Sequence, residues 1–155
     1  MTALIVIDMQ DEYVGRNRKQ KRNPYNFEQL VDNINSKITD YEQRSDTIIY
    51  IKNKRKFSAS GFVPELRLAS DLVFEKNRAS CFSNNLLLSY LMDKAITKIE
   101  LAGVDGNFCV GMSALDGAKK GFSIRLSLSC IGVANTQRFL KTQEKLAKAN
   151  ISIFD

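Results

Sequence analysis

The chain has 155 residues, with 44 % hydrophobic and 26 % charged residues, no histidine and a formal net charge of +6. Its length suits a single domain with one core, large enough to bury a pocket, and its longest apolar stretches are too short to span a bilayer. The missing histidine excludes Ser-His-Asp and Cys-His machinery and removes the commonest zinc ligand.

Taken in chain order, strand-sized apolar runs alternate with segments of helical period, the pattern of βαβ units and a parallel sheet. Ala3 to Asp8 reads as the first strand. Asn26 to about Arg44 reads as a helix with Leu30, Ile34 and Ile38 on one face, and Asn26 with Gln29 resembles a capping box. Thr47 to Ile51 is the second predicted strand. The polar stretch from Lys52 to Ser70, with Gly61 and Pro64, reads as a long loop with room for one helical turn. Leu72 to Glu75 is a short third strand, and Ser83 is the expected cap of a helix running to about Lys94, with Leu87 and Leu91 inward. Lys98 to Ala102 is the fourth strand, and Phe108 to Lys120 a helix stopped by Gly121. Ser123 to Ser129 is the fifth strand, Thr136 to Ala149 a last helix stopped by Asn150, and Ile151 to Phe154 the sixth strand. The expected fold is α/β: one three-layer α/β/α domain over residues 1–155, with a six-stranded, mostly parallel, Rossmann-like sheet.

Met1 leads straight into the first strand without a basic leader or cleavage site, so a cytoplasmic protein is expected. Cys81, Cys109 and Cys130 are an odd number of cysteines in that setting, and reduced thiols are expected. Much of the positive charge lies in Arg16, Arg18, Lys19, Lys21 and Arg22, and in Lys52, Lys54, Arg55 and Lys56, in segments that read as loops. Basic loops are solvated surface that can also steer an anionic substrate. No aromatic-rich RNA motif, finger spacing or basic helix accompanies them, so neither nucleic acid nor a membrane is an expected partner.

In open parallel sheets, ligands bind where the loops converge at the carboxyl ends of the strands. Asp8 ends the first strand, Lys76 follows the third, and Cys109 opens the helix after the fourth. A thiol in the first turn of a helix has its thiolate favoured by backbone N–H groups and the dipole, and a nearby ammonium adds to this. A carboxylate can take the thiol proton and return it to a leaving amine. The turn Gly103-Val104-Asp105-Gly106-Asn107-Phe108-Cys109 carries two glycines that let backbone N–H groups approach a developing oxyanion. Each residue alone has an ordinary structural explanation; their joint placement at three carboxyl-end loops singles them out. Cys81 and Cys130 lack that placement and read as structural.

These residues carry a family resemblance. Ala3-Leu4-Ile5-Val6-Ile7-Asp8-Met9-Gln10-Asp11-Glu12-Tyr13, Lys76 with Ser80-Cys81-Phe82, and Leu101-Ala102-Gly103-Val104 through Cys109-Val110 and Ala114 to Gly121 resemble the isochorismatase-like cysteine hydrolases. That superfamily includes nicotinamidases and N-carbamoylsarcosine amidohydrolases. The resemblance implies a triad of Asp8, Lys76 and Cys109, in which Lys76 holds the other two in their charged forms. It also implies a cis peptide at Val104–Asp105 that orients the oxyanion N–H groups of Asp105 and Cys109. Nicotinamidases of the family hold a metal through an Asp and two His after the second strand; here Lys52-Asn53-Lys54-Arg55-Lys56 stands there, so no metal or other cofactor is expected. The segment between Ile51 and Leu72 is trimmed, and Ser129-Cys130-Ile131-Gly132 stands after the fifth strand where many members show an acidic residue. Gln10, Tyr13, Phe82, Phe108 and Met112 are the candidates for substrate contact.

The expected activity is metal-free cleavage of a C–N bond in a small amide or ureido substrate, anionic ones included. An isochorismatase-type ether hydrolase and a non-catalytic binding domain of the same fold are the alternatives. A flavin or nucleotide domain is disfavoured because Met9-Gln10-Asp11 replaces a Gly-rich phosphate loop. Family members are commonly dimers or larger, so a homo-oligomer is expected.

Overall fold

The computed structural model describes residues 1–15, 23–54 and 60–155. The basic residues Arg16, Arg18, Lys19, Lys21, Arg22, Arg55 and Lys56 lie outside the described residues. Six strands form one parallel sheet: β1 Thr2–Ile7, β2 Thr47–Asn53, β3 Val73–Lys76, β4 Lys98–Val104, β5 Ser123–Gly132 and β6 Ser152–Phe154, in the order β3-β2-β1-β4-β5-β6. The helices are α1 Asp11–Val14, α2 Phe27–Gln43, α3 Asn85–Asp93, α4 Cys109–Lys119 and α5 Thr136–Lys148, with a 3₁₀ turn at Cys81–Ser83.

The alternation of side chains along β1 generates the layers. Ala3, Ile5 and Ile7 enter one core with Leu87 and Leu91 of α3, Val110 and Ala114 of α4, and Phe139 and Leu146 of α5. Leu4 and Val6 enter the other, with Leu30, Ile34, Ile38 and Tyr41 of α2. A strand buried on both faces has to be apolar throughout, which is why Ala3 to Ile7 reads as one continuous run. The chain runs outward from β1 through β2 to β3, then returns beside β1 with β4, so the loops after β1 and β4 flank a topological switch point.

Several local expectations are corrected. Ser83 sits in the 3₁₀ turn, and Asn84 caps α3, its Oδ1 accepting from the N–H groups of Leu86 and Leu87 at 2.8 and 3.2 Å. The Asn26–Gln29 capping box does not form: Asn26 makes no side-chain cap bond, and the Gln29 amide donates one turn on, to Asn33. The third strand is shifted by one residue, so Lys76 is its last residue and pairs with Asn53. β5 runs on through a register shift to Gly132, so Cys130 and Ile131 belong to the strand rather than to a loop beyond it. The helix α1 was not expected. Both predicted stops hold: Gly121 (φ +96) and Asn150 (φ +59) take left-handed conformations, with Phe122 and Ile151 N–H returning to Gly117 and Leu146.

Candidate active site

Each of the three singled-out residues stands where local structure turns. Asp8 closes β1 with φ +55, a left-handed conformation that aspartate tolerates better than most residues. Its N–H still donates to Ile51 O at 3.1 Å, and its carbonyl accepts from Gln10 N at 2.8 Å. Lys76 closes β3, two strands away, and Cys109 is the first residue of α4. The turn that delivers Cys109 starts at Gly103, whose φ is +114; a Cβ there would stand 2.0 Å from Ile7 O. Only glycine lets β4 run so close beside the end of β1. The Val104–Asp105 peptide is cis.

The three side chains meet. Lys76 Nζ lies 3.0 Å from Asp8 Oδ2 and donates to Cys109 Sγ at 3.3 Å, and its remaining acceptor is Arg78 O at 3.2 Å. Asp8 and Lys76 are buried and Cys109 is partly exposed, the only one of the three open to a ligand. Among the described residues, the backbone N–H groups of Asp105 and Cys109 donate to no protein acceptor, while Phe108 and Val110 N–H both return to Asp105 O. A thiol, an ammonium and a carboxylate thus meet at the start of α4, a combination suited to nucleophilic chemistry on sulfur.

Residues 2–150 match the family model described as the isochorismatase domain. The chain belongs to the isochorismatase family. It is 24 % identical over 141 residues to a Verticillium dahliae protein described as the secreted isochorismatase effector Isc1, covering 84 % of this chain and 72 % of that one. It superposes on the pyrazinamidase of Pyrococcus horikoshii in complex with zinc with a TM-score of 0.86 and 18 % identity, covering 99 % of this chain and 98 % of that one. The N-carbamoylsarcosine amidase from Thermoplasma acidophilum gives a TM-score of 0.82 at 18 % identity, covering 99 % and 95 %. At such identities these two structures share the fold.

Within this family member the thiol departs from expectation. Burial pushes the Cys109 thiol up to about 11, and the negative charge of Asp8 adds to the rise while Lys76 opposes it. The resting cysteine is therefore a protonated thiol, not the thiolate that a helix N-terminus and an adjacent lysine suggest in isolation. Burial is the main cause, and because the ammonium is shared with a carboxylate, the pair offers the sulfur little net positive charge to offset it. Cys81 and Cys130 are buried free thiols, both pushed up by burial.

The expected substrate contacts divide. Phe108, next to the nucleophile, and Met112, one turn along α4, are about half exposed, and the Arg138 guanidinium lies 4.8 Å over the Phe108 ring. Tyr13 lies in α1, partly buried against the core that Leu4 and Val6 enter. Gln10 does not serve as a ligand contact: it is fully buried, with Nε2 donating to Asn53 O and Ser60 O and Oε1 accepting from Asn53 N at 2.7 Å. Its amide is consumed in tying the ends of β1 and β2 together. Phe82 is likewise core, stacked on Phe122 with centroids 5.4 Å apart and packed across Gly117.

Sequence reasoning missed the residues that brace the turn. Asp105 Oδ1 accepts from Asn107 N at 2.7 Å, and Oδ2 accepts from Tyr25 OH at 3.1 Å and Ala134 N at 2.8 Å. Asn107 in turn donates to Asn135 O and accepts from Thr142 Oγ1. The one available signal was local: Asp and Asn two residues apart in a Gly-containing turn are residues that bond nearby backbone.

Among the described residues, the donor set does not suit a metal ion. Nicotinamidases of the family place their ligands after β2; here the described residues at its end are Lys52 and Asn53, followed by Lys54. Lys52 Nζ lies over the Phe62 ring, Lys54 Nζ pairs with Glu75 at 3.4 Å, and Asn53 is held by Gln10. No group of three or more Cys, Asp or Glu side chains among the described residues is arranged to hold a metal ion, and two ammonium groups would repel a divalent cation. No helix among the described residues is long and apolar enough to cross a membrane.

Proposed function

We propose that this isochorismatase-family hydrolase cleaves a C–N bond of a small amide or ureido compound, without a metal, through a thioester on Cys109. The observation that carries the reading is the Lys76 ammonium lying within 3.3 Å of the Cys109 sulfur and 3.0 Å of the Asp8 carboxylate. Asp8 takes the Cys109 proton as the sulfur attacks the carbonyl carbon. The tetrahedral oxyanion is held by the N–H groups of Asp105 and Cys109. Asp8 then gives the proton to the departing nitrogen as the C–N bond breaks, leaving a thioester. Water, deprotonated by Asp8, attacks the thioester; the acid leaves, and the expelled sulfur recovers its proton. Lys76 offsets the charge of whichever partner is ionised.

A neutral resting thiol suits this sequence, because the proton has to be on sulfur before Asp8 can carry it to the nitrogen. An isochorismatase-type reaction is the second reading, favoured by the similarity to a protein described as a secreted isochorismatase effector. Under the first reading the substrate is a small molecule, anionic ones included, and the enzyme a cytoplasmic homo-oligomer; cell fractionation and light scattering test the last two points. The deciding experiment is an ammonia- and amine-release assay over a panel of small amides and N-carbamoyl compounds, run alongside isochorismate. Turnover of a panel amide, lost in Cys109→Ala, supports the proposal. Turnover of isochorismate alone, retained in Cys109→Ala, supports the second reading.

A further inference from the structure

Helix α4 carries more than Cys109 on the side facing the segment after β3. Cys109, Ser113 and Asp116 stand at i, i+4 and i+7, along one helical face. Each binds that segment or the end of β3: Lys76 Nζ donates to Cys109 Sγ at 3.3 Å, Cys81 N to Ser113 Oγ at 3.0 Å, and Ser80 Oγ to Asp116 Oδ2 at 2.6 Å. Ser80 Oγ also accepts from Phe82 N and so caps the 3₁₀ turn, while Lys120 Nζ donates to the other Asp116 oxygen at 3.1 Å. Burial works to raise the Asp116 pKa, but the hydrogen bonds from Ser80 and Lys120 and the charges of Lys120 and Lys119 outweigh it. The carboxyl is held below its ordinary range. Ser80 therefore donates to an ionised carboxylate, a stronger bond than one between neutral groups.

The seam reaches the triad through Arg78. The Lys76 ammonium has three N–H donors and three acceptors: Asp8 Oδ2, Cys109 Sγ and Arg78 O. Arg78 stands two residues before Ser80, so anchoring Ser80 to α4 fixes where that carbonyl stands. With the loop anchored, the ammonium stays against the sulfur; with it slack, the ammonium is free to settle on Asp8, the stronger acceptor.

We infer that Asp116, acting through Ser80 and the Arg78 carbonyl, is a positioning residue that holds the Lys76 ammonium against Cys109. The inference rests on the triad reading above. Asp8 from β1 and Lys76 from β3 are the charged groups that face Cys109 among the described residues. The sign separates positioning from plain electrostatics. Removing the Asp116 charge would by itself ease ionisation of a thiol, whereas releasing Lys76 hinders it.

The test is the rate of Cys109 alkylation by iodoacetamide against pH, followed on the Cys109 peptide by mass spectrometry with thermal unfolding in parallel. Ser80→Ala and Asp116→Asn are each expected to slow alkylation at pH 8.5 by about three- to tenfold, half to one pKa unit. Ser80→Thr is expected to restore the rate, and in a Lys76→Met background Ser80→Ala is expected to change nothing. Should Ser80→Ala unfold under the assay, the isosteric Asp116→Asn decides. Well-folded variants with unchanged or faster alkylation overturn the inference, as does a Ser80→Ala effect that persists in Lys76→Met. If Lys76→Met itself leaves the profile untouched, the triad reading fails and the inference falls with it. If Lys76→Met shifts the profile and the seam variants do not, positioning alone fails.

Discussion

The Lys76 ammonium and the Asp8 carboxylate face each other at 3.0 Å with 0 % and 4 % of their side chains exposed, across two strands that are not neighbours in the sheet. Removing one partner of such a pair leaves the other charge buried and uncompensated, typically a loss of about 3–5 kcal/mol. Lys76→Met is therefore expected to lower the urea midpoint by an amount corresponding to about 3 kcal/mol. A loss below about 1 kcal/mol would mean that the pair is far more hydrated than its burial implies.

The two partners are expected to move the Cys109 thiol in opposite directions. The wild-type alkylation rate should climb about tenfold per pH unit through the mildly alkaline range, toward a midpoint near 11. Asp8 raises that midpoint, so Asp8→Asn should alkylate faster at pH 8.5 while losing hydrolysis. Lys76 lowers it, so Lys76→Met should alkylate more slowly. Stopped-time alkylation with peptide mapping reads both signs, and shifts of the same sign in the two variants would be inconsistent with the geometry.

Gly103→Ala should be among the most damaging single substitutions. Its φ of +114 is unfavourable for alanine, and the new Cβ would meet Ile7 O at 2.0 Å, backbone against backbone. We expect a loss of about 3 kcal/mol or more in thermal or urea unfolding. A near-neutral Gly103→Ala would show that β4 does not lie so close beside β1 at Ile7.

Away from the site, Tyr41 OH donates at 2.7 Å to Glu100, a buried carboxylate also paired with Lys37 and Arg125. Tyr41→Phe removes a hydrogen bond to a charged acceptor, worth about 1.5–3 kcal/mol. Its unfolding midpoint should fall accordingly while Cys109 alkylation stays unchanged, making it a control for variants nearer the triad.

The order of elements was legible because their signals are local. Ala3 to Ile7 is apolar throughout, being buried on both faces, and Gly121 and Asn150 mark helix ends through their own backbone freedom. Asp8, Lys76 and Cys109 could be picked out because strand ends in a parallel sheet converge. What stayed hidden depends on distant partners. Ser83 and Asn84 are both cap-forming residues; Asn84 forms the cap, and its amide also donates to Glu75 O, nine residues back. Nothing local reveals that the Gln10 amide is used up by Asn53 and Ser60, more than forty residues away. The rise of the Cys109 pKa likewise follows from burial and from Lys76 being shared with Asp8, neither of which the helix-start position discloses.

The central claim is that Cys109 carries the substrate's acyl group during turnover. Once a panel amide is found to turn over, intact-protein mass spectrometry of acid-quenched enzyme tests that claim directly. We expect a mass increase equal to the acyl fragment, mapped to the Cys109 peptide, released by hydroxylamine and absent in Cys109→Ala. Turnover of the same amide that persists in Cys109→Ala, with no adduct on the wild-type protein, would contradict it.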